Sequence, residues 1–234
     1  MAVFVLSDPH LSFGYNKPMD IFGSRWENHE KKIEQGWEKA GITDDDIIVI
    51  PGDISWALKL EDTHADFLFL NNLKGLKVIG RGNHDLWWTT DTKVKKMFWE
   101  NSIKTIKLLH NNALDAGEYI ICGTRGWYYD EKNAPADIDY NKIINREMIR
   151  LVLSFNSRLK FNKDAETIVF MHFPPVFKDY VCAELIDVLK KHGIRRCFYG
   201  HIHSAYDIPS VFEHEGILFE IVSADYLNFV PIKI

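Results

Sequence analysis

What this chain of 234 residues lacks narrows it first. No segment approaches the roughly 18 consecutive apolar residues that a membrane span requires. The opening Met1-Ala2-Val3-Phe4-Val5-Leu6 has no basic leader and is too short for a signal-peptide core. Cysteine is scarce: Cys122, Cys182 and Cys197 lie far apart inside apolar runs. An odd, scattered set does not make a disulfide framework or a thiolate metal site, and it reads as buried free thiols in a reducing compartment. These absences place the protein, as an expectation, in the cytoplasm and off the membrane. There is also no large excess of charge, with a net value of −5. A long nucleic-acid track or an anionic membrane is disfavoured on that ground, whereas a nucleotide-sized partner is compatible. The short basic stretches at 93–96 and 190–196 read as solvated faces. With no repeat, linker or composition break, the chain is expected to form one domain over 1–234.

What is present is an ordinary globular composition, 46% apolar and 26% charged, with an alternating pattern. Short apolar runs predict strands at 2–6, 46–50, 77–79, 106–109, 119–122, 167–171 and 196–199. A closing hairpin is predicted from 210–212 and 217–222 around Gly216. Helical periodicity predicts helices over 27–40, 60–73, 90–100, 139–160 and 180–192, with Gly41 and Gly193 as stops. Strands alternating with helices give an α/β class.

Five of the strands end in polar clusters. They are Asp8-Pro9-His10, Gly52-Asp53, Gly82-Asn83-His84-Asp85, His172, and Gly200-His201-Ile202-His203. Loops at the carboxyl ends of strands in an open α/β sheet converge on one crevice, so five such loops can meet at one site. Asp8, His10, Asp53, Asn83, His172, His201 and His203 together offer carboxylates, imidazoles and an amide oxygen, with no thiolate. That donor set suits Mn²⁺, Fe²⁺ or Fe³⁺, or Zn²⁺. It exceeds what one tetrahedral centre needs and suits two divalent ions sharing a bridging carboxylate. Two such ions, two Asp and a bridging hydroxide leave about +1, which attracts a phosphoryl group. In the same cluster His84 offers a titratable nitrogen, and Asp85 a carboxylate able to orient a neighbouring imidazole.

The ordered set Asp-x-His, Gly-Asp, Gly-Asn-His-Asp, His and Gly-His-x-His runs from residue 8 to 203 with no member missing. It resembles the calcineurin-like metallophosphoesterase superfamily, and in particular its small bacterial phosphohydrolases. The resemblance implies a four-layer α/β/β/α sandwich, two mixed β-sheets flanked by helices. It implies one ion on Asp8, His10 and His203, a second on Asn83, His172 and His201, and Asp53 between them. It gives His84 to the phosphate and the leaving group, oriented by Asp85. The expected reaction is hydrolysis of a phosphodiester or phosphomonoester, on a small phosphorylated substrate, by in-line attack of a metal-bridging hydroxide. Ile54-Ser55-Trp56 after Asp53, and Asp rather than Glu at 85, depart from the protein Ser/Thr phosphatases and disfavour a protein substrate. A metal-dependent nuclease and a non-catalytic metal-binding scaffold of the same fold are the alternatives.

Substrate contacts are less constrained by sequence. Arg125 and Trp127, in Thr124-Arg125-Gly126-Trp127-Tyr128-Tyr129, follow a strand end, as a phosphate grip and a stacking surface would. Trp87, Trp88, Phe13 and Tyr15 could line the same rim. Packing of these aromatics in the core, and a surface ion pair for Arg125, are equally open readings. His29, His64, His110, His192 and His214 lack partner motifs and are expected to be structural or at the surface.

Overall fold

The computed structural model describes residues 1–15, 17–128, 139–161 and 164–234; Tyr129 lies outside them. Strands covered on both faces must be apolar at nearly every position, and the short runs meet that need. β1 (Val3–Val5), β2 (Ile47–Ile50), β3 (Leu76–Ile79) and β4 (Ile106–Leu108) pair in parallel. A second sheet contains β5 (Leu114–Ala116), β6 (Tyr119–Thr124), β7 (Glu166–Met171), β10 (Arg196–Tyr199), β11 (Val211–His214) and β12 (Ile217–Ile221). Its order is β11-β12-β10-β7-β6-β5, parallel inside and antiparallel at both edges. β13 (Ile232–Lys233) returns antiparallel to β1 and closes the first sheet in the order β13-β1-β2-β3-β4. Both sheets are therefore mixed.

The period of two divides each strand between two cores. Val3, Val5, Ile47, Val49 and Val78 meet Ile121, Ile168, Phe170 and Phe198 between the sheets. Phe4, Ile48, Ile50 and Ile79 point the other way, onto α1 (His29–Ala40), α2 (His64–Asn72) and α3 (Asp91–Glu100). On the far side Cys122, Val169, Met171 and Tyr199 pack on α4 (Tyr140–Ser157) and α5 (Ala183–Lys191). Fully burying each such aliphatic or aromatic side chain contributes about 1.5–3 kcal/mol. The layers run α/β/β/α, as the family resemblance implied. All three cysteines are free and buried. No helix among the described residues is long and apolar enough to cross a membrane.

Local chemistry sets the boundaries. Thr90 and Asp139 cap α3 and α4 by accepting from Lys93 N and Lys142 N. α1 stops at Gly41, with φ of 70°. The hairpin turn carries Glu215 and Gly216 at φ of 50° and 80°, the backbone a tight hairpin requires. Several expectations need correction. The helix expected over 60–73 opens as a 3-10 turn, Leu60–Thr63. The one expected over 139–160 becomes 3-10 at Arg158–Lys160. The one expected over 180–192 starts only at Ala183, because β9 (Tyr180–Val181) folds back on β8 (Val176–Phe177).

Candidate active site

The five polar clusters converge because their loops bond to one another. Asp8 N donates to Gly52 O at 3.1 Å and His10 N to Asp53 O at 3.0 Å, which ties the loop after β1 to the loop after β2. His84 N donates to Asp53 Oδ1 at 2.8 Å, and His201 N donates to Asp8 Oδ2 at 3.0 Å. Asp8, His10, Asp53 and His201 sit at φ of 58°, 47°, 51° and 67°. Non-glycine residues held there store about 1–3 kcal/mol each, and such strain concentrates at functional sites. Two glycines are required by close approach. A Cβ at Gly82 would overlap the Asp53 carboxylate, and one at Gly200 would overlap Ser7 and Asp8.

The seven expected donors come together in two facing groups. Asp8, His10 and His203 form one, and Asp53, His172 and His201 the other, each with ligand atoms within 4.8 Å of one another. In the first, His10 Nε2 and His203 Nε2 stand 3.2 Å apart. In the second, Asn83 Oδ1 lies 2.7 Å from His172 Nε2 and 3.0 Å from His201 Nδ1. Asp53 Oδ2 lies between the groups, 3.7 Å from His10 Nε2 and 3.5 Å from His172 Nε2.

The chemistry of these donors fits metal ions. Burial, with neighbouring imidazoles adding to it, holds His10 and His172 well below the ordinary histidine range. Burial chiefly pushes His201 down to about 3. The fold thus keeps these rings neutral, with nitrogen lone pairs free, which is the form a metal takes. Burial also raises Asp8 to about 6 and, with the charges of Asp8 and Asp85, raises Asp53. A cation among them would reverse that penalty and restore both carboxylates.

His84 stands beside this centre without joining either group. Its ring lies 4.2 Å from that of Trp56 and 5.6 Å from that of His10. Burial first, then Lys17 and His203, push it down to about 4, so at neutral pH it offers an N–H rather than a full positive charge. The expectation that Asp85 orients this ring needs correction. The Asp85 carboxylate accepts from Ile54 N at 2.8 Å, Ser55 N at 3.2 Å, Gly82 N at 2.7 Å and Trp87 Nε1 at 3.0 Å. Those donors occupy its lone pairs, so it pins the loops after β2 and β3 together while Trp56 supports His84.

Arg125 lies within electrostatic reach of Asp53 and His172. Trp127 packs on Phe173, ring centres 5.5 Å apart, and its carbonyl accepts the Tyr180 hydroxyl at 3.0 Å. Trp87 and Trp88 are core residues, whereas Phe13 and Tyr15 are 49% and 45% exposed. Of the histidines outside the motifs, His29 is buried with Nε2 3.3 Å from His10 O, and His110 pairs with Asp91 at 2.7 Å. His192 stacks on Phe155.

One member of the site went unnoticed in the sequence. Asp225, fully buried after β12, accepts from His203 Nδ1 at 2.8 Å, Ser204 N at 3.0 Å and the Tyr206 hydroxyl at 2.8 Å. A signal existed: Ile221-Val222-Ser223-Ala224-Asp225 repeats the apolar run ending in a polar cluster.

Comparison with known proteins agrees with this geometry. The family model described as calcineurin-like phosphoesterase matches residues 1–205. A structure of a protein of unknown function from Aquifex aeolicus superposes with a TM-score of 0.52 at 16% identity, covering 99% of this chain and 95% of that one. One from Thermus thermophilus superposes at 0.58 and 15%, covering 96% and 89%. At such identities the likeness concerns the fold alone. No curated protein matches the sequence.

Proposed function

The chain belongs to the calcineurin-like phosphoesterase family, and from that premise we propose that it is a phosphohydrolase working with two divalent metal ions on a small phosphorylated substrate. The observation that carries this reading is the position of Asp53, one carboxylate oxygen facing both donor groups at 3.7 and 3.5 Å. Asp8, His10 and His203 would hold one ion, and Asn83, His172 and His201 the other. The mixed oxygen and nitrogen donors favour Mn²⁺, Fe²⁺ or Zn²⁺. Bound there, such ions would supply Lewis acidity that polarises the phosphoryl oxygens and lowers the pKa of water, so that hydroxide is available for in-line attack on phosphorus at neutral pH.

The chain's own side chains do the rest. Asp53 fixes the spacing of the two groups and, through the His84 main-chain N–H, the position of the neighbouring imidazole. His84 donates its N–H to the departing ester oxygen. Arg125 adds positive charge on the side of His172. We place the protein in the reducing cytoplasm, in keeping with three buried free thiols.

The test is turnover of p-nitrophenyl phosphate and bis-p-nitrophenyl phosphate by chelator-stripped protein restored with Mn²⁺, Fe²⁺ or Zn²⁺. Activity that returns with metal supports the reading, and the better ester separates monoesterase from diesterase. Stripped and restored protein with the same absent turnover would oppose it.

A further inference from the structure

Beside the candidate metal donors, α4 and the loops after β3 and β6 bring four arginines within electrostatic reach of one carboxylate. Glu147, on α4, is fully buried. Its Oε1 accepts from Arg150 at 2.7 Å with Arg146 at 3.7 Å, and its Oε2 accepts the Thr124 hydroxyl at 2.6 Å. Arg81 and Arg125 also lie within electrostatic reach of Glu147 and of each other. Neither is in an ion pair among the described residues, and the Nε–H of each is buried with no acceptor. Asp85, which also lies within electrostatic reach of Arg81, is already occupied by loop N–H groups and Trp87.

A structural salt bridge needs one guanidinium per carboxylate. Among the described residues the four arginines still outnumber the carboxylates in reach, Glu147, Asp85 and Asp53, by one. The cluster also contains two buried donors, the Nε–H groups of Arg81 and Arg125, that no described residue satisfies. Like charges so arranged repel, and orphaned donors are costly, unless an anion is meant to complete the group. Arginine's planar fork is matched to phosphate, which it grips through paired N–H bonds. The cluster is also oriented toward the chemistry. Arg81 is in the loop that ends in Asn83 and His84, and the Arg125 carbonyl accepts from Phe173 N at 2.9 Å, next to His172.

We propose that this arginine cluster is a second anion subsite, holding a phosphate of the substrate other than the one hydrolysed. The substrate class is then compounds that carry two phosphate groups, in one chain or on one scaffold. The inference rests on the phosphohydrolase reading and names the substrate of that site. Thr124 and Glu147 set the stage by fixing Arg150 and Arg146, leaving Arg81 and Arg125 as the forks presented to the ligand.

The test compares kcat/KM of the metal-restored enzyme for adenosine 5′-monophosphate, adenosine 5′-diphosphate and adenosine 3′,5′-bisphosphate, in wild type and in Arg81→Gln/Arg125→Gln. A calorimetric titration of chelator-stripped protein with the bisphosphate gives a second readout that needs no turnover. The expected result is a preference of about tenfold or more for one doubly phosphorylated compound, lost in the double variant together with salt-sensitive binding. Arg81→Lys/Arg125→Lys, which keeps charge but not the fork, retains part of both and guards against misfolding of the glutamine variant. Equal kcat/KM for all three nucleotides, the same in both proteins, overturns the subsite while leaving the phosphohydrolase reading standing. If no phosphate ester is turned over, that reading falls, and the titration decides the subsite alone: binding lost in the double variant upholds it, and binding unchanged overturns it.

Discussion

His203 donates its Nδ1–H to Asp225 at 2.8 Å while its Nε2 faces His10 Nε2 at 3.2 Å. One ring thus connects a buried carboxylate to the donor group of Asp8 and His10. The hydrogen bond fixes the tautomer and leaves the lone pair on the nitrogen that faces the centre. Removing such a partner typically costs 10–100-fold in metal affinity. Asp225→Asn is accordingly expected to weaken Mn²⁺ binding by about that factor, measured by calorimetry on stripped protein. An unchanged affinity would reduce Asp225 to a tether for Ser204 and Tyr206.

His84 and Asp53 separate chemistry from metal binding. His84→Ala is expected to lower kcat by about 10²–10⁴-fold while metal content is kept. Asp53→Ala should lose metal and turnover together, since its Oδ2 faces both donor groups. Metal analysis and steady-state kinetics on the two variants provide the check, and full turnover in His84→Ala would remove that residue from the reaction.

Asp85 acts on the fold. Its carboxylate answers main-chain N–H groups from two loops and the Trp87 indole, all out of solvent. Each donor left without an acceptor costs about 1–3 kcal/mol. Asp85→Ala should therefore lower stability by about 3 kcal/mol or more in urea unfolding. A loss below about 1 kcal/mol would mean that the loops hold without it.

A pH dependence of stability is built into β3. Lys77 is fully buried and donates to Leu73 O and, at 2.7 Å, to Gly75 O. Burial pushes its amine down from 10.5 to about 8. Between those values the unfolded chain binds the proton and the folded chain does not, so stability rises as pH rises through that window. The gain is on the order of 3 kcal/mol, and Lys77→Met should abolish it. Unfolding free energies of both proteins measured across the window test this, and parallel pH profiles would contradict it.

The layered fold was legible because strands buried on both faces must be apolar throughout, as Ile47-Ile48-Val49-Ile50 illustrates. What escaped was short or was decided at a distance. β5, β8, β9 and β13 have two or three residues each, too few to show a period. Asp20–Phe22 and Ser24–Trp26 are isolated 3-10 turns of three residues each, too short to show a helical period. The candidate metal donors were legible as strand-end clusters, and the structure brings all seven together. The partner of Asp85 was not, since adjacency to His84 in sequence gives no direction, and its carboxylate turns back into the loops. The arginine cluster was equally hidden, because Arg81, Arg125 and Arg150 are distant in sequence and come within electrostatic reach of one another only once α4 packs on β6.

The central claim is a centre that binds two metal ions across Asp53. The most direct measurement is metal content per chain after loading with Mn²⁺ and removal of the excess, for wild type and Asp53→Ala. Two ions per wild-type chain, with the variant retaining fewer, is the predicted result. Wild-type protein that binds no metal, or that keeps a single ion unaffected by loss of Asp53, would contradict it.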